Sequence, residues 1–400
     1  MKARYQYRLY PTEQQRRELA KIFGCCRVVW NDSLALVQAV PDGEKWPSNG
    51  ELQKLCITQA KRTVERRWLS EVSNIPLQQS VADLGVAFKN WFTSLKGKGR
   101  ARFPRFKSRH GKQSVRFHRG GFSLKGNKLF LAKIGLFKVK WSRPLPTEPS
   151  SVTVIKNKAD QYHVSFVVEV CPKSVESVRA SIGLDLGIKT FAFPSVGEPI
   201  KAPDYSRLDR RIRRLQKRLA RQQKGSNRRA VTKRKIAKLH LKIRNIRKDF
   251  LHKISTKLLC ENQTVCLEDL NVSGMMRNRR LARAISQQGW REFRTMLESK
   301  ATQYINRSVS VVSRWEPTSQ SCSCCGFQWG KLSLSVRSVR CISCGAQHDR
   351  DQNAAKNIEQ SGRCMSDTKG ASRAHKSTVS VAMPVEALSQ PCGVQLSLCI

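Results

Sequence analysis

Two sets of residues in this 400-residue chain have types and spacings that imply chemistry. The first is Cys322/Cys325 and Cys341/Cys344, two pairs with two residues inside each pair and fifteen between them. Thiolates at that spacing close a short ribbon around one tetrahedral structural Zn2+. The second is Asp185, Glu268 and Asp351, acids that lie within apolar strand-like stretches or open a helical run. Carboxylates gathered at one point repel each other unless divalent cations sit between them. A pair of Mg2+ ions held in that way activates water and stabilises the leaving oxygen of a phosphodiester. Any one of these acids alone reads more naturally as a cap, a surface residue or an ion-pair partner; the set carries the expectation. Asp349 has a structural reading, because with Gln352 at the third helical position it makes a capping box. Asp351 is therefore the expected ligand.

The elements that must position these residues are visible as pattern. Ser181 to Ile188 is an apolar strand with Asp185 in its middle, and Thr264 to Leu270 is a second strand ending in acid. Gln352 to Ile358 reads as a helix. Gly183 and Gly187 beside Asp185 would let backbone pass close to metal and scissile strand, and equally mark a tight strand or turn. Trp290 to Tyr304 reads as a helix and Val309 to Trp315 as a strand leading into the cysteine ribbon.

Charge narrows the partner. Seventy-five Lys and Arg against 29 Asp and Glu leave a net charge of +46, which repels itself unless a polyanion neutralises it. The cations are spread along the chain and interleaved with Phe, Trp and Tyr, which suits grooves for nucleic-acid strands better than a membrane surface. Between Arg207 and Lys248 there are nineteen Lys or Arg and one acid, Asp209. Apolar residues recur through that run at Leu208, Ile212, Leu215 and Leu219, and again from Ile236 to Phe250. A helical hairpin with an apolar seam and a basic outer face follows, with Arg210, Arg211, Arg213, Arg214, Lys217, Arg218 and Arg221 as expected phosphate contacts. Arg105 and Lys107, in the strand-capable segment Arg102-Phe103-Pro104-Arg105-Phe106-Lys107, are candidates of the same kind. There the rings stack on bases in one reading and enter a core in the other. No stretch has the length and apolarity of an export signal or a membrane span, so the expected compartment is the cytosol, in association with the nucleoid. Fourteen cysteines then read as metal ligands plus reduced thiols.

Read in order, the chain implies a multidomain fold of α+β and α/β parts. The strand at Tyr5–Tyr10 joins the short alternating segments from Phe122 to Val170 in an antiparallel β-barrel, comprising residues 1–10 and 116–178. Residues 11–115 form a helical insert: Thr12 caps the first helix with Gln15 in a capping box, and Leu77, Val81, Leu84, Phe88, Trp91 and Leu95 stripe a later one. A basic loop at 96–100 follows. The acid-bearing strands open a second domain, 179–320 and 346–360, interrupted by the ribbon at 321–345. Residues 361–400 lack a period and read as a disordered tail, with Cys364, Cys392 and Cys399 incidental.

These residues resemble a known family. Gly183-Leu184-Asp185-Leu186-Gly187, Leu267-Glu268-Asp269-Leu270-Asn271-Val272-Ser273-Gly274-Met275, the two cysteine pairs and His348-Asp349-Arg350-Asp351-Gln352-Asn353-Ala354-Ala355-Lys356-Asn357 look like the RuvC-type motifs and zinc ribbon of TnpB, a transposon-encoded relative of type V CRISPR nucleases. Tyr7 to Thr12, Phe23 to Arg27, Phe103 to Ser108 and His252-Lys253 are similar to family positions too, so the resemblance covers residues 1 to 358. It implies a wedge-like barrel with a helical recognition insert, then an RNase H-like (RuvC) nuclease domain with an inserted basic hairpin and zinc ribbon. It implies an RNA-guided DNA endonuclease: a guide RNA from the transposon end pairs with one strand of a double-stranded DNA target, the protein reads a short target-adjacent motif, and Asp185, Glu268 and Asp351 form the catalytic trio. Cys324, Glu316 and Ser299 depart from the family pattern, and Cys324 is assigned no metal role. The alternatives are a guided DNA-binding repressor that does not cut, which would tend to lose the trio, and a cut-and-paste transposase, whose last acid is generally Glu.

Overall fold

The structure, a computed structural model, describes residues 1–97, 101–330, 332–333 and 335–374, with side chains as far as 364. From 98 onward the basic loop at 96–100 lies outside the described residues, as does the tail beyond 374 with Cys392 and Cys399. Contacts divide the chain into two units: 1–175, 203–253 and 302–305 make the first, and 176–202, 254–301 and 306–400 the second.

The first unit is built on a seven-stranded sheet. Its strands are β1 (Lys2–Tyr10), β2 (Gln113–His118), β3 (Phe122–Lys125), β4 (Lys128–Leu131), β5 (Gly135–Lys140), β6 (Ser151–Lys156) and β7 (Tyr162–Glu169). The order is β2-β6-β7-β1-β5-β4-β3, antiparallel throughout, with β1 in the centre between β7 and β5. Alternation explains the burial, since Tyr7, Leu9, Phe117, Phe137, Val164 and Phe166 turn inward and are almost fully covered. The barrel expected from the sequence is present in part, as a curled half-barrel sheet that does not close. After β2 the chain turns at Gly120 (φ +86°) and does not fold back as a hairpin, and among the described residues β2 and β3 remain unpaired edges.

Two long helices follow β1. The helix α1 (Glu13–Gln38) starts at the capping box the sequence predicts, with Thr12 accepting from the Gln15 N–H and the Gln15 side chain accepting from the Thr12 N–H. Its stripe of Leu19, Ile22, Phe23, Cys26, Val29 and Leu34 is buried. In α2 (Asn74–Leu95) the buried stripe runs from Leu77 to Phe88, while Leu95 is exposed. The segment 102–107 is not a strand. Backbone groups that a ladder would use are taken by α1 side chains: Trp30 Nε1 donates to the Arg105 carbonyl, and Asn31 both donates to and accepts from the Lys107 backbone. The basic hairpin consists of α3 (Ser206–Ala220) and α4 (Asn227–Glu261), with Tyr205, Ile212 and Ile243 buried along its seam.

The second unit contains β8 (Arg179–Asp185), β9 (Phe193–Pro194), β10 (Asn262–Glu268) and β11 (Ser308–Val312) in the order β11-β10-β8-β9. Strand β10 is parallel to both β8 and β11, whereas β9 is antiparallel to β8. Parallel strands covered by helices read as continuous apolar runs, which is why Ile182, Leu184, Val265, Cys266 and Leu267 are all buried. Helices α5 (Trp290–Ala301) and α6 (Arg350–Ala374) belong to this unit, as does the small ribbon pair β12 (Ser338–Arg340) and β13 (Gln347–Asp349). The helix α6 runs on past Ile358 to Ala374, so residues 361–374 are helical where the sequence pattern suggested a tail.

Gly183 has a packing role, distinct from the metal-side role considered from sequence. A Cβ built there would lie 2.1 Å from the Ala355 carbonyl oxygen and 2.6 Å from the Glu359 nitrogen, both backbone atoms of α6. The glycine lets the Asp351-bearing helix lie directly on the Asp185-bearing strand. Gly183→Ala should therefore cost roughly 2–3 kcal/mol or more, because backbone cannot move aside as a flexible side chain would. The denaturant midpoint of the purified protein checks this.

Candidate active site and metal centre

The two metal-type clusters both lie in the second unit and share one short length of chain. Asp185 ends β8, Glu268 ends the adjacent parallel strand β10, and Asp351 stands in the first turn of α6. Parallel pairing places Leu184 beside Leu267, so the acids that follow leave the sheet at the same end. Burial first, and then the Asp351 and Glu268 carboxylates, together push the Asp185 carboxyl up to about 7, with the Arg350 cation opposing them. Glu268 is also raised, first by burial and then by Asp269. Asp185 thus lies within electrostatic reach of both other acids.

The neighbouring charges are sorted by their partners. Asp269, next to Glu268, is held below the usual carboxylate range, mainly by its hydrogen bond from Arg314, with Arg294 Nη1 also donating at 2.8 Å. Its role is a structural ion pair. Asp351 receives Arg337 Nη1 at 2.9 Å. Asp349 caps α6: its Oδ1 accepts from the N–H groups of Asp351 and Gln352, both at 3.0 Å. That use of Asp349 agrees with a capping role, and Asp351 is the one of the two acids that raises the Asp185 carboxyl.

The four cysteines of the ribbon converge. Cys322 and Cys344 sulfurs are 3.7 Å apart, Cys325 and Cys341 sulfurs 3.6 Å, and all four lie within 4.8 Å of one another. Tetrahedral Zn–S bonds of about 2.3 Å require sulfurs about 3.8 Å apart, so the spacing fits zinc. Each pair also makes a tight turn: the Gly326 N–H bonds to the Cys322 carbonyl, and the Gly345 N–H to the Cys341 carbonyl. Both glycines have positive φ, 77° and 73°. Cys324, Cys322 and His348 form a second set within 4.8 Å. Cys324 is exposed and its backbone N–H points to the Cys322 sulfur, which is the arrangement of a ligand's neighbour. Among the described residues the acidic trio is more widely spread than either set.

The expected nucleic-acid contacts fall in the first unit. Arg210, Arg211, Arg213, Arg214, Lys217, Arg218 and Arg221 are all exposed on α3 or just past its end, opposite the buried Ile212. In the 102–107 segment the two rings differ, and only Phe103 enters a core. Phe103 packs edge-on against Phe88 and Trp91, while Phe106 is 54% exposed beside the exposed Arg105. The Lys107 ammonium lies 3.5 Å from the centre of the Trp30 ring. No pattern within 102–107 could announce that partner, because Trp30 lies on a helix more than seventy residues earlier. Sequence reasoning also gave no role to His348, Asn353 or Asn357, all of which bond to the first cysteine turn. Their position within the acid-bearing motif was the available signal.

A family model described as a "Probable transposase" of the OrfB, IS605 type matches residues 165–279, a Cas12f1-like TNB domain model matches 290–358, and a helix-turn-helix model matches 1–40. In the structure that last range is one strand and one long helix. A chain from Streptomyces pristinaespiralis, provisionally named an RNA-guided DNA endonuclease, is 41% identical over 90% of this chain and 90% of its own. One from Escherichia coli K12, InsQ, with the same provisional name, is 32% identical over 90% and 92%. Among solved structures, a Cas12f1–sgRNA–target DNA complex covers 90% of this chain at 17% identity with a TM-score of 0.30, a likeness too loose to carry an argument.

Proposed function

The chain belongs to the TnpB family of RNA-guided DNA endonucleases, and from that premise we propose that it cuts guide-paired double-stranded DNA by metal-dependent hydrolysis at Asp185, Glu268 and Asp351. The observation that carries this reading is the raised Asp185 carboxyl, a strand-end acid pushed up by burial and by the other two acids. Such a cluster is unfavourable by itself, and divalent cations relieve it; hard oxygen donors suit Mg2+. A pair of Mg2+ ions, when bound, supplies the charge neutralisation that lets water attack a phosphodiester. The chain's own residues prepare for it. Asp185 must give up its proton, Glu268 and Asp351 supply the remaining negative charge, and Arg337 must release Asp351. The four thiols hold a structural Zn2+ that keeps the ribbon folded.

The division of the rest follows charge. The exposed arginines of α3 bind nucleic-acid backbone, while base pairing between guide RNA and target carries sequence. The unit at 1–175 serves as wedge and recognition part, and the unit built on β8 to β11 as an RNase H-like nuclease domain acting in the cytosol. Among the described residues no helix is long and apolar enough to cross a membrane.

The protonation of Asp185 sets a pH dependence. Only the ionised carboxylate ligates metal, so below about 7 the one proton on Asp185 must leave as metal binds. The Mg2+ concentration for half-maximal cleavage should therefore rise as pH falls from 7 to 6, by about fivefold if the one proton on Asp185 is coupled. Mg2+ titrations at fixed pH values read this directly. The reading as a whole is tested with the RNA complex purified from cells. Its RNA is sequenced, and a plasmid carrying the matching target should be linearised with Mg2+ and left intact with EDTA. Joining of transposon ends without RNA would favour a cut-and-paste transposase, and guided binding without cutting would favour a repressor.

A further inference from the structure

The helix carrying Asp351 is tied to the first cysteine turn by the buried Asn353 and His348 and the half-buried Asn357, none of which has a part in the chemistry above. Asn353 is 1% exposed. Its Nδ2 donates to the Ser321 carbonyl at 2.7 Å, and its Oδ1 accepts from the Ser323 N–H at 2.9 Å. The peptide groups on either side of Cys322 are thus both held by one amide. One turn further along α6, Asn357 Nδ2 donates to the carbonyls of Thr318 at 2.7 Å and Ser321 at 2.8 Å. On β13, just before the helix, the buried His348 has its Nε2 3.1 Å from the Cys322 sulfur.

These contacts differ from ordinary helix packing. Apolar packing would tolerate a small slide of the ribbon over α6, whereas a buried amide satisfied at both ends fixes the position of the groups it bonds. Asn353 is two residues from Asp351, and the turn between them is stiffened by the Asp349 cap on the Asp351 and Gln352 N–H groups. A displacement of Cys322 must therefore move the first turn of α6. The reverse also holds, because a loosened α6 frees one of the four thiols. Outer contacts of this kind orient metal ligands, and their loss typically costs 10–100-fold in affinity or activity.

We propose that Asn353 and Asn357 are positioning residues that couple the ribbon's thiol site to Asp351, so that zinc loading sets where the last acid of the cleavage site stands. The proposal rests on the reading of Asp351 as a ligand of the catalytic metal. By linkage, a coupling of this sort acts in both directions.

The test uses the RNA complex of the full chain in four forms: wild type, Asn353→Ala, Asn357→Ala and Asp351→Ala. RNA retention on a gel establishes that each is folded. Two quantities are measured, the rate of zinc release to a colorimetric chelator and the Mg2+ concentration for half-maximal cleavage. Both asparagine variants should release zinc about tenfold faster and need about tenfold more Mg2+, with cutting restored at high Mg2+. Asp351→Ala should release zinc at the wild-type rate and cut at no Mg2+ concentration. Unchanged Mg2+ dependence in the asparagine variants, beside an inactive Asp351→Ala, overturns the coupling alone. Cutting by Asp351→Ala overturns the assignment of the acid and the coupling with it. If Asn353→Ala loses RNA binding, Asn357→Ala decides, since Asn353 still holds the Ser321 carbonyl in that variant.

Discussion

Replacing Asp185 by Ala should reduce cleavage of a guide-matched plasmid by at least about a thousandfold, equivalent to about 4 kcal/mol of barrier, while RNA and DNA binding stay intact. The effect is expected to be this large because Asp185 sits between the other two acids in the electrostatics of the site, and both of them raise its pKa. Without it the remaining carboxylates have lost the ligand that joins them. A companion variant separates this from misfolding. A group whose native pKa is raised toward 7 destabilises the metal-free fold once pH exceeds its ordinary carboxylate value, since the buried form resists ionisation. Asp185→Asn removes that penalty. At pH 8 without divalent metal it should melt higher than wild type, yet it should not cut. A lower melting temperature for Asp185→Asn would argue that the residue supports the fold through contacts of its own.

The second large effect is expected at the ribbon. Cys341→Ser should abolish stoichiometric zinc and lower cleavage about a hundredfold or more, with guide RNA still bound. Cys341 is buried and its sulfur faces Cys325 at 3.6 Å, so its loss removes one corner of the thiol tetrahedron. Structural zinc sites contribute about 10–16 kcal/mol of apparent binding energy in isolated fingers at neutral pH. Losing even part of that unfolds a segment as short as 321–345. Metal analysis of the purified variant, alongside RNA retention and plasmid cleavage, checks each part. Cleavage at wild-type level with zinc absent would mean the ribbon is dispensable. The basic hairpin has its own buried seam at Tyr205, Ile212 and Ile243, which is why RNA contact should outlast the loss.

Much of this site could be read from residues alone, for identifiable reasons. Cysteine spacing survives in sequence because a zinc tetrahedron needs short, regular turns. The acids stood out at Asp185 and Glu268 because buried parallel strands are continuous apolar runs, against which one charge is conspicuous. Asp349 separated from Asp351 because helix capping has a fixed offset. Other features had no such local trace. The clamp of Asn353 and Asn357 on residues 318–323 spans thirty residues or more, and its partners are backbone groups that any sequence supplies. The same is true of Trp30 and Asn31 holding the 102–107 segment, which turned a strand-like pattern into a strap. Gly183 was noticed, but its neighbour in α6 was not, because which helix lies over a strand glycine depends on packing that no spacing encodes. The open edge of the first sheet was hidden for a similar reason, since closure depends on where β2 and β3 end up.

The central claim is that one acidic trio cuts DNA chosen by a bound RNA. It is tested most directly in a single plasmid assay with the purified RNA complex, using a matched target, a target with its guide-paired stretch scrambled, and Asp351→Ala on the matched target. Linear product is expected only from the wild-type complex on the matched plasmid. Cutting of the scrambled plasmid, or of the matched plasmid by Asp351→Ala, would contradict it.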